Sequence, residues 1–298
     1  MTDYLKCLNY LITQKINTQI YYPGIISYNA IYGGGEDNYF DHSIQVYNIL
    51  RKWKCEPDIC RAGLLHAVPL TENLKTIVTE KTLGYIKQFK ENNIQNKPCR
   101  LIHLAKILSK PFISITDNFI DKQDMEDFYF YFRDKVKWEF TGSGRSLQDW
   151  RLWHYLLYHH LKKGCHFKKG LETKLKGYAD KIMSNYGFSE FYNLDRCHAS
   201  AYPYGTVHEI HNDYDHLHTS LTLMFYLNST WDIQWGGETV ILDSNKTEII
   251  KSITPKPGRV LIFDGGLQHC ARPLVRNFND LRLVVAFKYS IKVEGEKQ

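Results

Sequence analysis

Residues 198–227 read HASAYPYGTVHEIHNDYDHLHTSLTLMFYL, and this stretch decides the fold. Two runs rich in apolar and aromatic residues flank a polar segment that is rich in histidine and aspartate. Runs of this kind, bounded by Gly, Asn, Asp and Pro, are typical of β-strands. The pattern recurs in ETVIL (238–242), RVLIF (259–263) and RLVVAFKYSI (282–291). Regularly spaced short strands without helices between them predict a barrel or a two-sheet jelly roll.

The first third of the chain has a different pattern. From Met1 to about Asn93 apolar residues return at helical spacing, as in HSIQVYNILRKW (42–53), and predict a compact helical bundle. The polar stretch NNIQNKPC (92–99) then marks a boundary. The helical segment that follows it, RLIHLAKILSK (100–110), can belong to either side.

The second domain opens with a strand and a helix. PFISITDNFI (111–120) is β-branched, and DKQDMEDFYFYFRDKV (121–136) carries acidic residues at the start of a helical pattern. We therefore expect an α+β protein with a helical domain at 1–105 and a jelly-roll domain with flanking helices at 106–298.

Composition indicates an ordinary globular chain. Of the 298 residues, 43% are hydrophobic and 23% are charged. No apolar run approaches the roughly 20 residues that span a bilayer, and MTDYLKCLNY lacks a signal-peptide pattern, so we expect a cytoplasmic protein without membrane contact. The seven cysteines are scattered without a CxxC pair, which predicts reduced thiols rather than disulfides or structural zinc.

The net charge of +6 is mild for this length. Lysines cluster in LKKGCHFKKGLETKLKG (161–177), which we interpret as a solvated helix face rather than a nucleic-acid surface. The expected partner is a small-molecule or peptide substrate, and the oligomeric state stays open.

Three residues offer a metal site in the β-rich half. His211 and Asp213 are two residues apart, so an extended backbone points both to the same side. His269 follows the RVLIF strand, and a barrel can bring it beside that pair. Two imidazoles and one carboxylate on one face of a metal leave three open positions, which suits non-haem Fe(II) oxygenases.

A fourth residue strengthens this prediction. Arg282 opens the last strand, thirteen residues after His269. A guanidinium there can hold the far carboxylate of 2-oxoglutarate in a bidentate pair while the other end of the oxoacid chelates iron.

The segment from about Lys110 to Ile291, and most clearly 198–290, resembles the prolyl 4-hydroxylase-like branch of the Fe(II)/2-oxoglutarate dioxygenases. The residues that carry the resemblance are Tyr202, His211 with Asp213, WGGETVIL (235–242), PKPGRVLIFDGGLQH (255–269) and Arg282. The resemblance implies a double-stranded β-helix in which His211, Asp213 and His269 bind iron and act in catalysis. It implies that Arg282 and Tyr202 bind the C5 carboxylate of 2-oxoglutarate. The cofactors would be Fe(II), 2-oxoglutarate and O₂, with ascorbate as an auxiliary reductant, and the reaction would be a hydroxylation.

Two further segments take structural interpretations from the same resemblance. WGGET (235–239) would be a turn into a strand, and PKPGR (255–259) would be the hairpin before the distal histidine, with glycines supplying the turn backbone. Arg282 stands where collagen-modifying members use lysine, so the resemblance does not imply a collagen-like substrate.

The helical domain resembles the HD phosphohydrolase-like domains, with His42 as the first histidine and His66 as the second. Those domains have an aspartate after the second histidine, and this chain has Ala67, so we expect a degenerate scaffold. Two alternatives remain open. One is a metal-dependent phosphohydrolase whose active site contains His42 and His66, and the other is a jelly roll that binds a ligand without catalysis.

Several residues near these motifs are interpreted as structural. We expect Arg259 to face solvent or pair with a carboxylate, and the histidines and aspartate around the metal pair to be mainly solvated. We expect four aromatic residues to form core and lid rather than a substrate cage: Trp138, Trp150, Trp153 and His154.

Overall fold

The computed structural model describes residues 3–13, 39–68, 70–91, 96–109, 111–141, 152–206 and 208–292. Trp150 lies outside these ranges. The chain divides into two compact units, one within Met1–Pro111 and the other Phe112–Ile291. Among the described residues no helix is long and apolar enough to cross a membrane. The cytoplasmic location stays a prediction.

The first unit is helical. Its second and third described helices, Tyr39–Lys52 and Pro57–Leu64, pack against each other and against the last one, Lys97–Leu108. Trp53 and Leu64 are buried in this unit. The helices are α1 (Asp3–Thr13), α2 (Tyr39–Lys52), α3 (Pro57–Leu64), α4 (Glu72–Ile77), α5 (Glu80–Lys90) and α6 (Lys97–Leu108). The helical character predicted for this part of the chain is confirmed in the described residues.

The second unit contains two antiparallel sheets and two helices, α7 (Lys122–Asp134) and α8 (Leu171–Asn185). The larger sheet has the order β1-β8-β5-β10-β4-β3-β2, and the smaller has the order β7-β6-β9. This arrangement is consistent with a jelly roll, and the α+β class is confirmed. The strands are β1 (Ile113–Thr116), β2 (Glu139–Thr141), β3 (Leu152–His159), β4 (Tyr192–Tyr202), β5 (Ser220–Tyr226), β6 (Thr239–Leu242), β7 (Ile249–Ile253), β8 (Val260–Asp264), β9 (His269–Ala271) and β10 (Arg282–Ile291).

Strand β10 is the centre of the larger sheet, between β4 and β5. Its sequence RLVVAFKYSI is almost wholly buried, as expected of a strand that is covered on both faces. Register places Arg282 opposite Tyr202 at one end and Lys288 opposite Arg196 near the other. Since alternate residues of a strand share a face, both pairs belong to one side of the sheet.

The entry to this unit follows the sequence prediction of a strand and then a helix, as β1 and α7. Arg259, predicted to face solvent or pair with a carboxylate, binds Asp117 through two hydrogen bonds of 2.6 and 2.8 Å. The basic run at 161–177 becomes helical only at Leu171, because Gly164 and Gly170 take positive φ in the turns before it. None of the seven cysteines, all of which lie in the described ranges, forms a disulfide.

Two turns near the sheets show one correct and one wrong prediction. WGGET is a turn into β6, in which Gly236 and Gly237 both have φ of +72°. PKPGR is not a hairpin, because β7 pairs with β6 in the smaller sheet whereas β8 pairs with β1 and β5 in the larger one. This segment is a crossover between the sheets, with Gly258 in the left-handed region at φ +66°.

Replacing Gly236 by alanine should destabilise the second unit. An added Cβ would lie 2.8 Å from the carbonyl oxygen of Pro273, a backbone atom that cannot move without distorting the turn. The matched control is Gly164→Ala, which has a similar φ of +78° but no described atom within 4 Å of its Cβ. In urea unfolding we expect Gly236→Ala to lose about 1–3 kcal/mol more than the control. Equal losses in the two variants would show that the contact with Pro273 is not limiting.

Candidate functional site

A pair of backbone hydrogen bonds brings the two candidate iron-binding histidines together. His211 donates its N–H to the carbonyl of His269 at 3.0 Å, and His269 donates back to His211 at 2.8 Å. Residues that exchange both bonds in this way lie directly opposite each other and present their side chains on the same face. The two rings are accordingly 4.3 Å apart, centroid to centroid.

Both imidazoles are oriented by the chain segment that carries them. Nδ1 of His211 lies 3.0 Å from the carbonyl oxygen of Glu209, and Nδ1 of His269 lies 2.9 Å from that of Leu267. A carbonyl only accepts, so each Nδ1 carries the proton and each Nε2 keeps a lone pair for a metal. Burial lowers the pKa of His269 to about 4, which keeps this ring neutral at physiological pH.

Asp213 completes the group. Its carboxylate oxygens lie 3.7 Å from the Nε2 atoms of both His211 and His269, and the three donor atoms lie within 4.8 Å of one another. Among the described residues, no other group of three or more His, Cys, Asp or Glu side chains is clustered in this way. Two imidazole nitrogens and one carboxylate are the donor set that suits non-haem Fe(II).

The carboxylate of Asp213 is buried but well supported. Oδ2 accepts a hydrogen bond of 2.5 Å from the hydroxyl of Thr222, and Oδ1 forms an ion pair with Lys288. Burial opposes ionisation, but the charge of Lys288 and the neighbouring histidines hold the pKa of Asp213 well below its usual range. Asp213 is therefore a carboxylate, the form that binds metal.

Arg282 is almost fully buried at the start of β10, with 1% of its surface exposed. Its Nε donates to the carbonyl of Gly237 at 2.7 Å, and its Nη2 donates to the hydroxyl of Thr239 at 2.9 Å. The ring of Tyr202 lies 5.0 Å from the guanidinium carbon. Among the described residues Arg282 makes no ion pair. A buried cation of this kind indicates an anionic ligand, since an unpaired buried charge is costly.

One cavity of about 320 Å³ contains all of these groups. His211, Asp213 and His269 line it, and so do Arg282 and Tyr202. The five residues that the sequence singled out therefore share one site, although only the resemblance named Tyr202. The cavity walls also include apolar side chains: Leu152, Met224, Val284 and Ala286.

Sequence reasoning missed part of this cavity. Arg196, His198 and Lys288 line it without having been singled out, and His154 lines it although it was expected in a core or lid. His154 reaches the cavity because β3 lies beside β4, which places its ring 5.0 Å from that of His198. The alternation of Arg196, His198, Ser200 and Tyr202 along β4 was the available signal.

The polar residues near the metal pair divide into two kinds. His208 is buried beside His211, with ring centroids 4.7 Å apart, and it lines the cavity. Burial holds the pKa of His208 well below its usual range. Asp215 and His216 are exposed, as expected of solvated loop residues.

His42 and His66 also meet in space, in the helical unit. Their ring centroids are 5.3 Å apart, and Nδ1 of His42 lies 3.0 Å from the hydroxyl of Ser109. Burial lowers the pKa of His66 to about 3, and its Nδ1 lies 2.7 Å from the carbonyl of Gly63. Within the part of the chain that the structure describes, they join no third metal-binding side chain.

Residues 197–289 match the family model of the 2OG-Fe(II) oxygenase superfamily. Comparison with curated proteins gives no match. A prolyl hydroxylase from Trichoplax adhaerens, solved with a hypoxia inducible factor peptide fragment, is 19% identical, with 71% of this chain and 94% of that chain covered and a TM-score of 0.47. A Pseudomonas putida prolyl-4-hydroxylase is 17% identical over 64% of this chain and 98% of that one, with a TM-score of 0.45.

A third solved structure is HygX from Streptomyces hygroscopicus, with nickel and 2-oxoglutarate bound. It is 11% identical, with 63% of this chain and 86% of that chain covered and a TM-score of 0.46. The family match spans β4 to β10 and contains the whole His-Asp-His group. The chain therefore carries a 2-oxoglutarate–Fe(II) oxygenase domain and is a 2-oxoglutarate-dependent dioxygenase, with Fe(II) and 2-oxoglutarate as cofactors.

Replacing Thr222 by valine should weaken metal binding. The change keeps the shape of the side chain but removes the hydroxyl that orients the carboxylate of Asp213. We expect a loss of affinity for Mn(II) of roughly 10- to 100-fold, measured by calorimetry on metal-free protein. Thr247→Val is the control, because Thr247 donates to Asp243 in an exposed turn. Unchanged affinity in Thr222→Val would mean that the hydroxyl does not orient the carboxylate.

Proposed function

We propose that this 2-oxoglutarate-dependent dioxygenase hydroxylates an unactivated C–H bond of a peptide side chain, an amino acid or another small molecule, with release of succinate and CO₂. The observation that carries the proposal is one cavity that holds the His-Asp-His group together with a buried arginine that has no carboxylate partner among the described residues. The first suits Fe(II), and the second suits the distal carboxylate of an oxoacid.

His211, Asp213 and His269 are the proposed iron ligands. Their donor atoms lie within 4.8 Å of one another and the three side chains line the cavity, so together they would hold Fe(II) there. When bound, the iron supplies activation of O₂ coupled to the oxidative decarboxylation of 2-oxoglutarate. The protein contributes fixed donors, since each histidine is oriented by a backbone carbonyl and the aspartate by Thr222 and Lys288.

Arg282 and Tyr202 are the proposed 2-oxoglutarate residues. Two nitrogens of Arg282 are held by Gly237 and Thr239, which fixes the plane of the guanidinium. Among the described residues its remaining nitrogen, Nη1, makes no hydrogen bond, and the side chain lines the cavity. A carboxylate bound there would neutralise the buried charge. Tyr202 stacks on the same guanidinium, and its hydroxyl would complete the carboxylate site.

The cavity limits the size of the primary substrate. Its volume of about 320 Å³ lies at the lower end of the range for ligand sites, and 2-oxoglutarate takes part of it. A small molecule, or one side chain of a peptide, fits the remainder. The apolar walls formed by Val284, Ala286 and Met224 would exclude bulk water from the reacting C–H bond.

For the helical unit we propose a degenerate HD-like scaffold. The proximity of His42 and His66 supports the likeness, and Ala67 removes the carboxylate that metal-dependent hydrolysis needs. The buried Nδ1 of His66 faces the carbonyl of Gly63, and its lowered pKa fits a neutral structural ring. No observation on the described residues favours a phosphohydrolase.

The function is tested by anaerobic titration of metal-free protein with Fe(II) and 2-oxoglutarate. Bidentate chelation to iron gives a weak visible charge-transfer band, which we expect in the wild type and not in His211→Ala, because one donor of the facial group is lost. His216→Ala, which changes an exposed histidine of the same loop, should keep the band. Absence of the band in the wild type would contradict the proposal.

The same titration tests the assignment of Arg282. Arg282→Gln should raise the dissociation constant of 2-oxoglutarate by about 100-fold or more, since removing one partner of a buried ion pair costs roughly 3–5 kcal/mol. Arg276→Gln, an exposed arginine on the loop before β10, should leave it unchanged. If the dissociation constant of 2-oxoglutarate changes by less than about threefold in Arg282→Gln, the far carboxylate binds elsewhere in the cavity and the assignment of Arg282 is wrong.

A further inference from the structure

Four basic side chains line the cavity away from Arg282. Two lie on β4, one on β3 and one on β10, and we call them the basic subsite: Arg196, His198, His154 and Lys288. Along β10, Arg282 and Lys288 are six residues apart, so their backbones are separated by roughly 20 Å. The subsite is therefore distinct from the arginine proposed to hold 2-oxoglutarate.

The arginine and the lysine of the subsite are direct cross-strand neighbours. Lys288 of β10 is paired in register with Arg196 of β4, and both side chains line the cavity. Like charges opposite each other on adjacent strands destabilise a sheet. The repulsion between Lys288 and Arg196 therefore lowers the stability of the sheet locally. An anion bound between the two side chains would offset this loss.

The protein itself supplies little negative charge to offset it. Asp213 is the one acidic residue that lines the cavity in the described chain, and iron would share its carboxylate with Lys288. Arg196 makes no ion pair among the described residues. Asp195, its neighbour in sequence, accepts hydrogen bonds from Tyr214 and Ser290 instead. With iron and 2-oxoglutarate in place, the cavity would keep a surplus of positive charge.

The two histidines add hydrogen-bonding groups to this charge. Burial lowers the pKa of His154 and holds that of His198 well below the usual range, so both rings are neutral and each offers one N–H. Nδ1 of His198 is buried and has no hydrogen-bond partner among the described residues. Buried polar atoms in proteins are normally satisfied, so an orphan nitrogen in a cavity wall indicates a ligand.

We propose that the basic subsite binds an oxyanion of the primary substrate, so that the substrate is a small molecule bearing a carboxylate or phosphate group. Lys288 touches the carboxylate of Asp213, which places the bound anion next to the iron position. A substrate held there would present a neighbouring C–H bond to the reacting centre, since positioning of this kind is how oriented contacts promote a reaction. The inference rests on the proposed function, because it deepens the description of the same cavity.

The test is calorimetric titration of the protein loaded with Mn(II) and saturating 2-oxoglutarate, at constant ionic strength. Sodium sulfate, as a stand-in for phosphate, and sodium acetate are the two probes, and Mn(II) avoids turnover. We expect one of them to bind with one-to-one stoichiometry. Arg196→Gln should weaken that binding about tenfold or more, because the variant loses a charged hydrogen-bond donor to the anion. Arg196→Lys should restore most of it.

Two comparisons keep the test specific. Arg272→Gln removes an exposed arginine outside the cavity and should bind the probe as the wild type does. The affinity of Arg196→Gln for 2-oxoglutarate should equal that of the wild type, which shows that the variant is folded. The probe that binds identifies the group, sulfate for a phosphate and acetate for a carboxylate.

The outcomes separate the two proposals. If neither anion binds the loaded wild type, or if Arg196→Gln binds it equally well, the subsite proposal is wrong and the dioxygenase assignment stands. If 2-oxoglutarate fails to bind the Mn(II) protein at the loading step, the roles proposed for the metal-binding and 2-oxoglutarate-binding residues are wrong. The subsite proposal is then wrong as well, because it rests on them.

Discussion

The reciprocal hydrogen bonds between the backbones of His211 and His269 are the interaction on which the site depends. They join a loop that follows β4 to a strand that follows β8, and so connect segments 58 residues apart in sequence. Both side chains then leave the backbone on the same face. Asp213, two residues after His211, is held by a hydrogen bond from its backbone N–H to the carbonyl of Gly265. Backbone pairing thus sets where the three candidate donors lie relative to one another, and the side-chain contacts then orient each of them.

Buried charge is the second organising feature. Strand β10 of the larger sheet carries Arg282 and Lys288 toward one cavity, and the segment between β4 and β5 adds Asp213 to it. Each of these charges is tolerated because other groups hold it: Gly237 and Thr239 for the guanidinium, Thr222 and Lys288 for the carboxylate. The core around them is apolar and buried, and the close packing of protein interiors holds such side chains in one arrangement.

The sequence predicted the β-rich half, its entry through a strand and a helix, and a group of residues that share one cavity. These succeeded because strand patterns are local and because His211, Asp213, His269 and Arg282 are unusual residues among apolar strands. PKPGR was misread because a turn sequence does not reveal which strands pair on either side of it. Arg196 and Lys288 were missed because they become neighbours only when β4 pairs with β10. The sequence of neither strand shows that pairing by itself. The roles of individual site residues remain predictions.

The ion pair between Lys288 and Asp213 has a consequence for the loading of iron. A buried carboxylate without a counter-ion would take up a proton, and a metal would have to displace that proton before binding. Here an ammonium group occupies that place, and both candidate imidazole donors already carry their protons on the nitrogens that face backbone carbonyls. Iron would therefore bind a carboxylate that is already ionised, with little release of protons to solvent.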